Sequence, residues 1–478
     1  MENAEKVLYY FREISKIPRA SFDETGMADY LENFARERKL SCFRDSFHNV
    51  IIKKPSNIKA CSCAPLIIQG HTDMVYVRTP DCKVKYEDGL KLIEAEGVIR
   101  AEGTSLGADD GIAVAYALAL LDSNSIPHPD IEAVFTVSEE VGLIGAQNLD
   151  YSQLKGKFML NLDTEEEGVV FTSCAGAFRN ELKIPVKREK VSGLTPLTIR
   201  VGGLKSGHSG MEIGRGRANA IKLLGRLLFA LSDQEIRLFS LGAEGKTNVI
   251  CKTAQAVIFA KADKLESIKA ELQRLETIFN SEVSDRDSIE ISVSAEGAVD
   301  ALCYDKASQK AALSALTLLP FGVLGMSFDI PDLVETSANP GEVIQNDDSL
   351  EIFSAARSSI GSRKQEVMAE YAAIAALCGG ESICSADYPQ WEYRANSPLR
   401  TLTMEAYKEL FGREARALAI HAGLECGFFD AKIPDLDIIS VGPNLKDIHT
   451  TNESVDLASI ESVWQLIQAL LKKLVNQK

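Results

Sequence analysis

Residues 65–75 read PLIIQGHTDMV. Leu66, Ile67 and Ile68 form a short apolar run of the kind that makes a buried strand, and Gly70 marks where it ends. In extended chain, residues two apart point to the same side. His71 and Asp73 therefore leave the strand end together. An imidazole backed by a carboxylate is a common way to hold a metal ligand. An isolated His-x-Asp more often sits in an ordinary turn, so the other strand ends have to decide.

Working outward, the chain from Leu66 to Asp163 alternates strand-like and helix-like stretches. GIAVAYALALLDS (111–123) reads as a helix, and IEAVFTV (131–137) and KFMLNLD (157–163) as strands. The end repeats the pattern. LDIISVG (436–442) is a strand, and LASIESVWQLIQALLKKL (457–474) is an amphipathic helix with Ile460, Val463, Ile467, Leu470 and Leu474 on one side. This alternation predicts an α/β domain with helices on both faces of a mixed sheet. The middle differs. Alternating stretches such as LTIRVGG (197–203) suggest half-exposed antiparallel strands, mixed with helices such as ANAIKLLGRLLFALS (218–232). The expected organisation is a catalytic domain made of 1–177 and 388–478, interrupted by an α+β lid domain over 178–387.

Acidic and histidine clusters recur at the ends of the apolar strands. GTSLGADDGIAVA puts Asp109 and Asp110 in a Gly-rich turn entering a helix. VFTVSEEVGLIGA ends a strand with Glu139 and Glu140, FMLNLDTEEEG ends one with Asp163, and SVGPNLKDIHTTNE places His449 after another. In open α/β sheets, ligands gather at the carboxyl ends of strands. Adjacent carboxylates repel, and a pair of divalent cations gives them a reason to be buried together. Each pair alone is more often an ordinary surface turn.

The chain has 478 residues, enough for two or three domains. Hydrophobic residues make up 45% and charged residues 25%, as in soluble globular proteins. The net charge of −16 argues against nucleic acid or an anionic membrane as a general partner. No signal-peptide core and no membrane-length apolar run is present in the sequence. The ten cysteines form no framework, and CSC (61–63) lacks the two-residue spacing of zinc knuckles. They read as mostly reduced, mostly buried thiols of a cytoplasmic protein. GRGRANA (214–220) lacks the phosphate-loop pattern and reads as the entry to a helix.

In combination GHTDMV, GTSLGADDGIAVA, SEEVGLIGA, LNLDTEEEG, CAGA, GLKSGHSGMEIGRGRANA and AIHAGLECGFF…SVGPNLKDIHTTNE resemble the aminoacyl-histidine dipeptidases, also called cytosol non-specific dipeptidases. These are di-zinc peptidases related to aminoacylase and bacterial glutamate carboxypeptidase. The resemblance covers nearly the whole chain. It implies two divalent metal ions per chain, zinc with cobalt or manganese able to substitute. His71 and His449 would each bind one, Asp109 would bridge both, and Glu140 and Asp163 would be terminal ligands. Glu139 would be the general base acting on water between the metals, and Asp73 would support His71. A cis peptide is implied at Asp109–Asp110. From the insert, His208 would stabilise the oxyanion, Arg357 would grip the substrate carboxylate, and Asn248 would help bind the substrate end. Without the resemblance, His208 reads as an exposed turn histidine and Arg357 as surface charge. His421 reads as structural, and His48 and His128 as surface residues. The implied activity is hydrolysis of unblocked dipeptides of broad specificity by a cytoplasmic homodimer. The alternatives are an N-acyl amino acid amidohydrolase of the same fold and a non-catalytic binding relative. One departure stands out: Thr450-Thr451 replaces the Ser-Pro expected after His449.

Overall fold

The structure is a computed structural model. It describes every residue except Ala60, Ser62, Glu296, Ala298, Gln477 and Lys478. The chain divides into two compact units. The first holds Met1–Cys174, Trp391–Ala419 and Leu424–Lys478, and the second Ala175–Gln390 with Ile420–Gly423. Ile420–Gly423 lie within a stretch assigned from sequence to the catalytic domain, yet they group with the second unit.

The first unit is built on an eight-stranded sheet. Its centre runs Ile131–Thr136, Leu66–His71, Phe158–Asn161 and Asp437–Ser440, all parallel. Antiparallel strands, Ser41–Arg44 and Val50–Lys54 on one side and Val169–Cys174 on the other, make the sheet mixed. Every residue of Leu66–His71 and Ile131–Thr136 is buried, so both faces are covered, as a parallel sheet requires. The register aligns the strand ends: His71 pairs with Thr136, Gln69 with Asn161, and Ser440 with Asn161. The loops carrying Glu139, Glu140, Asp163 and His449 therefore leave from one rim.

The helix Ala108–Asp122 is apolar all round and almost wholly buried, which suits a helix enclosed in a core. Gly70 lets it approach the sheet. A Cβ there would lie 2.4 Å from Ala113 Cβ and 2.6 Å from Asp110 Oδ2. The C-terminal helix Leu457–Val475 buries the predicted side, Ile460, Val463, Ile467, Leu470 and Leu474. On it the fully buried Trp464 stacks on Tyr116 at 6.2 Å.

The second unit contains two antiparallel five-stranded sheets. One is centred on Arg188–Gly202 and the other on Val334–Gln345, Ser349–Ser358 and Gly176–Pro185. Its helices include Ala220–Ala230, which GRGRANA does enter: Asn219 caps it by accepting from the backbone N–H of Ile221 and Lys222. Five of the ten cysteines are buried and all ten are free thiols. His128, read from sequence as a surface residue, is fully buried. Its turn is covered by the 55–59 loop, where Ser56 Oγ donates to the His128 carbonyl and Asn57 Oδ1 accepts from its N–H.

Candidate metal centre

The rim of the first unit brings the predicted ligands together. His71 Nε2 lies 3.1 Å from Asp109 Oδ1, and His449 Nε2 lies 3.1 Å from Asp109 Oδ2. Each oxygen of one carboxylate thus faces a different imidazole. Glu140 Oε1 is 2.8 Å from His449 Nε2, and Asp163 Oδ1 is 3.8 Å from His71 Nε2. Two sets of donors, His71–Asp109–Glu140 and His71–Asp110–Asp163, could each surround a cation. Asp110 has a backbone task as well, because its Oδ2 accepts from the His71 N–H at 3.1 Å. The Asp109–Asp110 peptide is cis, as the resemblance implied.

Asp73 organises two segments at once. Its carboxylate lies 3.4 Å from His71 Nδ1. Oδ1 accepts from Glu139 N–H at 3.0 Å, and Oδ2 from Glu140 N–H at 3.3 Å and Ser21 Oγ at 2.8 Å. It fixes the imidazole edge facing away from Asp109 and places both glutamates.

Imidazole nitrogen with carboxylate oxygen is a donor set suited to zinc and similar divalent ions. The charge balance fits as well. Among the described residues, no lysine or arginine forms an ion pair with Asp109, Asp110, Glu139, Glu140 or Asp163. Burial raises the pKa values of Asp110, Glu139 and Asp163 well above the usual carboxylate range, and neighbouring carboxylates add to it. The histidines rise as well, from a different cause. Hydrogen bonding to Asp109 and Glu140 pushes His449 up to about 10. Burial works against a charged His71, but Asp109 and Asp73 outweigh it and raise its pKa. Asp109 itself is lowered, because the two imidazoles overcome the effect of burial. Carboxylates buried this close together call for positive charge, and divalent ions would supply it.

Several residues that shape this centre carry no sequence signal of their own. Glu453 clamps the loop before Asp109: Oε2 accepts from Leu106 and Gly107 N–H at 2.7 and 2.9 Å, and Oε1 from Ala108 N–H at 2.8 Å. It belongs to the recognised HTTNE motif, but the motif alone gives it no task. Arg19 is buried and donates to the backbone carbonyls of Thr72, Asp73 and Gly107. It passes so close to Gly107 and Gly111 that a Cβ on either would stand about 2.5–2.6 Å from Nη2. Glu24 holds Ser138 just before the glutamate pair. Behind the strand ends, buried Glu425 accepts from Thr136 Oγ1 at 2.6 Å and from Gln69 Nε2. Of the run Glu165–Glu167, Glu166 pairs with Arg416, and Glu167 pairs with Arg413 and bonds Tyr407. The Thr450 departure is accommodated: its Oγ1 donates to Asp447 O and accepts from Asn452 N–H, closing the turn that carries His449. Replacing Glu453 by alanine should weaken metal binding by about 10–100-fold, the usual effect of losing support behind a ligand. Competition with a chromogenic chelator measures it.

The insert residues all lie in the second unit. His208 Nδ1 accepts from the N–H groups of Gly210 and Met211 at 3.2 and 3.1 Å. Its proton is therefore on Nε2. Burial, then the charge of Arg357, lower its pKa. Arg357 lies on the strand Ser349–Ser358 and donates from Nη1 to Tyr388 Oη. Asn248 uses its backbone carbonyl to hold Ser209, next to His208.

Comparisons with known proteins give the family. The cytosol non-specific dipeptidase of Escherichia coli is 33% identical over 473 residues, covering 97% of this chain and 96% of that one. The crystal structure of an aminoacylhistidine dipeptidase from Vibrio alginolyticus superposes with a TM-score of 0.94 at 30% identity, over 99% of this chain and 98% of that one. An aminopeptidase PepT from Bacillus cereus shares the fold, with a TM-score of 0.57 at 17% identity over 99% of both chains. The model of peptidase family M20/M25/M40 matches residues 67–473, a span running from the first metal-facing strand through His449 and into the C-terminal helix. With histidines and carboxylates gathered on one rim and that match over most of its length, the chain belongs to peptidase family M20/M25/M40.

Proposed function

We propose that the chain is a cytoplasmic dipeptidase that works with two divalent cations, zinc in the first instance, and hydrolyses unblocked dipeptides of broad specificity. The observation that carries the reading is Asp109, with one oxygen 3.1 Å from each of two histidines. The names of the E. coli and Vibrio relatives support the substrate class, and the former supports the cytosol. No helix among the described residues is long and apolar enough to cross a membrane. The family resemblance supports a pair of chains as the working unit, which light scattering in solution tests.

His71 and Asp163 would hold one cation, His449 and Glu140 the other, and Asp109 both. When bound, such cations polarise a carbonyl and make water acidic near neutral pH. Glu139 takes the proton from the attacking water on its carboxylate and delivers it to the departing nitrogen. Asp73 holds the Glu139 backbone and the His71 ring in place for this. His208 donates its Nε2–H to the oxyanion, Arg357 binds the substrate carboxylate, and Asn248 supports the substrate end.

Kinetics on Ala-Ala, Ala-Ala-Ala and N-acetyl-Ala-Ala test the substrate class. Ala-Ala should lead in kcat/KM by at least about tenfold, the worth of roughly 1.4 kcal/mol. Equal values overturn the dipeptidase reading, and a lead for the acetylated substrate points to an N-acyl amino acid amidohydrolase. His208→Ala should leave metal content unchanged and lower kcat by about 10²–10³-fold with a smaller change in KM, because an oxyanion donor acts mainly in the transition state.

A further inference from the structure

The second unit gathers polar groups around Gly210. A Cβ on that residue would stand 2.7 Å from the His421 carbonyl oxygen and 3.1 Å from both Arg357 Nε and His208 Cε1. Only a glycine allows these three segments to meet. His421 sits in the short stretch Ile420–Gly423, which Ala175 ties down by donating its N–H to the carbonyls of Ile420 and Ala422. Gly423 in the same stretch packs on Tyr388, where a Cβ would come within 2.7–3.0 Å of the ring and its hydroxyl.

The His421 side chain is only 6% exposed. Its Nε2 lies 2.7 Å from Ser337 Oγ, while Nδ1 is buried without a hydrogen-bond partner. Burial, Arg357 and His208 push its pKa down to about 3, so the ring is neutral. Arg357 shows the matching gap. Nη1 is taken by Tyr388, and Nε is buried with no partner. The remaining Nε–Nη2 edge is the side-on fork that accepts a carboxylate through two parallel hydrogen bonds. Ser337 pairs with Arg357 across the strands Val334–Gln345 and Ser349–Ser358, so the neutral ring held on Ser337 stands beside the Arg357 side chain. An acid there would occupy the guanidinium, and a cation would repel it.

We propose that His421 is a positioning residue for the substrate's C-terminal carboxylate: its ring, anchored on Ser337 opposite Arg357, keeps the Nε–Nη2 edge of Arg357 unpaired and aimed. The proposal rests on the dipeptidase reading and goes beyond it by giving a task to a histidine that sequence assigns only a structural part.

The experiment compares Ala-Ala with its C-terminal amide on the metal-loaded enzyme, for wild type, His421→Ala, His421→Gln and Ser337→Ala. His421→Ala should raise KM for Ala-Ala by about tenfold, the effect of disturbing one buried polar contact. KM for the amide and the metal content should stay unchanged. Glutamine, whose amide reaches the Nε2 position, should restore most of the loss. Ser337→Ala, a smaller change to the fold, should raise KM for Ala-Ala alone by a few-fold. Equal losses on both substrates, or a glutamine variant no better than alanine, overturn the proposal. A wild-type enzyme that does not distinguish acid from amide removes the carboxylate reading itself. Discrimination that survives His421→Ala and Ser337→Ala removes only the part given to His421.

Discussion

Glu139→Gln is expected to keep its full complement of metal and to lose turnover by at least about 10²–10⁴-fold, the range of general acid–base catalysis. The glutamine preserves the volume and the backbone N–H that Asp73 Oδ1 holds at 3.0 Å. It cannot take up a proton from water. Glu140, one residue on, faces His449 at 2.8 Å and should go on binding metal in the variant. Elemental analysis beside steady-state kinetics checks both halves. A metal-depleted Glu139→Gln protein would exchange the roles of the two glutamates.

Asp109→Ala should do the opposite and lose metal first. Its two oxygens are the only carboxylate pair among the described residues that faces both His71 and His449. Without that bridging charge two cations repel across the site. The variant should therefore hold fewer than two ions after dialysis, with activity falling to the level of the chelated enzyme. The neighbouring Asp110 is a poor substitute, because its Oδ2 accepts from the His71 backbone. A variant with two tightly held ions and near-normal activity would move the bridge away from Asp109.

The parallel core and three of the candidate ligand segments are legible because each follows a short apolar run. An apolar segment that ends in His71, Asp163 or the Glu139–Glu140 pair announces both a strand and its carboxyl end. What stayed hidden acts through backbone groups far away in sequence. Arg19 holds the carbonyls of Thr72 and Gly107, and Glu453 holds N–H groups some 345 residues earlier. Neither leaves a period or a composition to read. His128 was misread for a related reason. Its prolines and neighbouring serines mark a turn, but a turn can be covered by another loop, as here by Ser56 and Asn57. The placement of His421 was hidden by connectivity, since four residues inside a stretch assigned to the catalytic domain group with the other unit.

Glu453 and His449 stand four residues apart, one clamping the loop before Asp109 and the other facing it. That spacing sets an order of assembly during synthesis. Domains generally begin to fold as the chain emerges, N-terminal parts first. The sheet strands through Asn161 can be in place early, but the loop that presents Asp109 stays unclamped until Glu453 has been made. A chain that stops short of residue 449 therefore lacks the imidazole facing Asp109 and the clamp together.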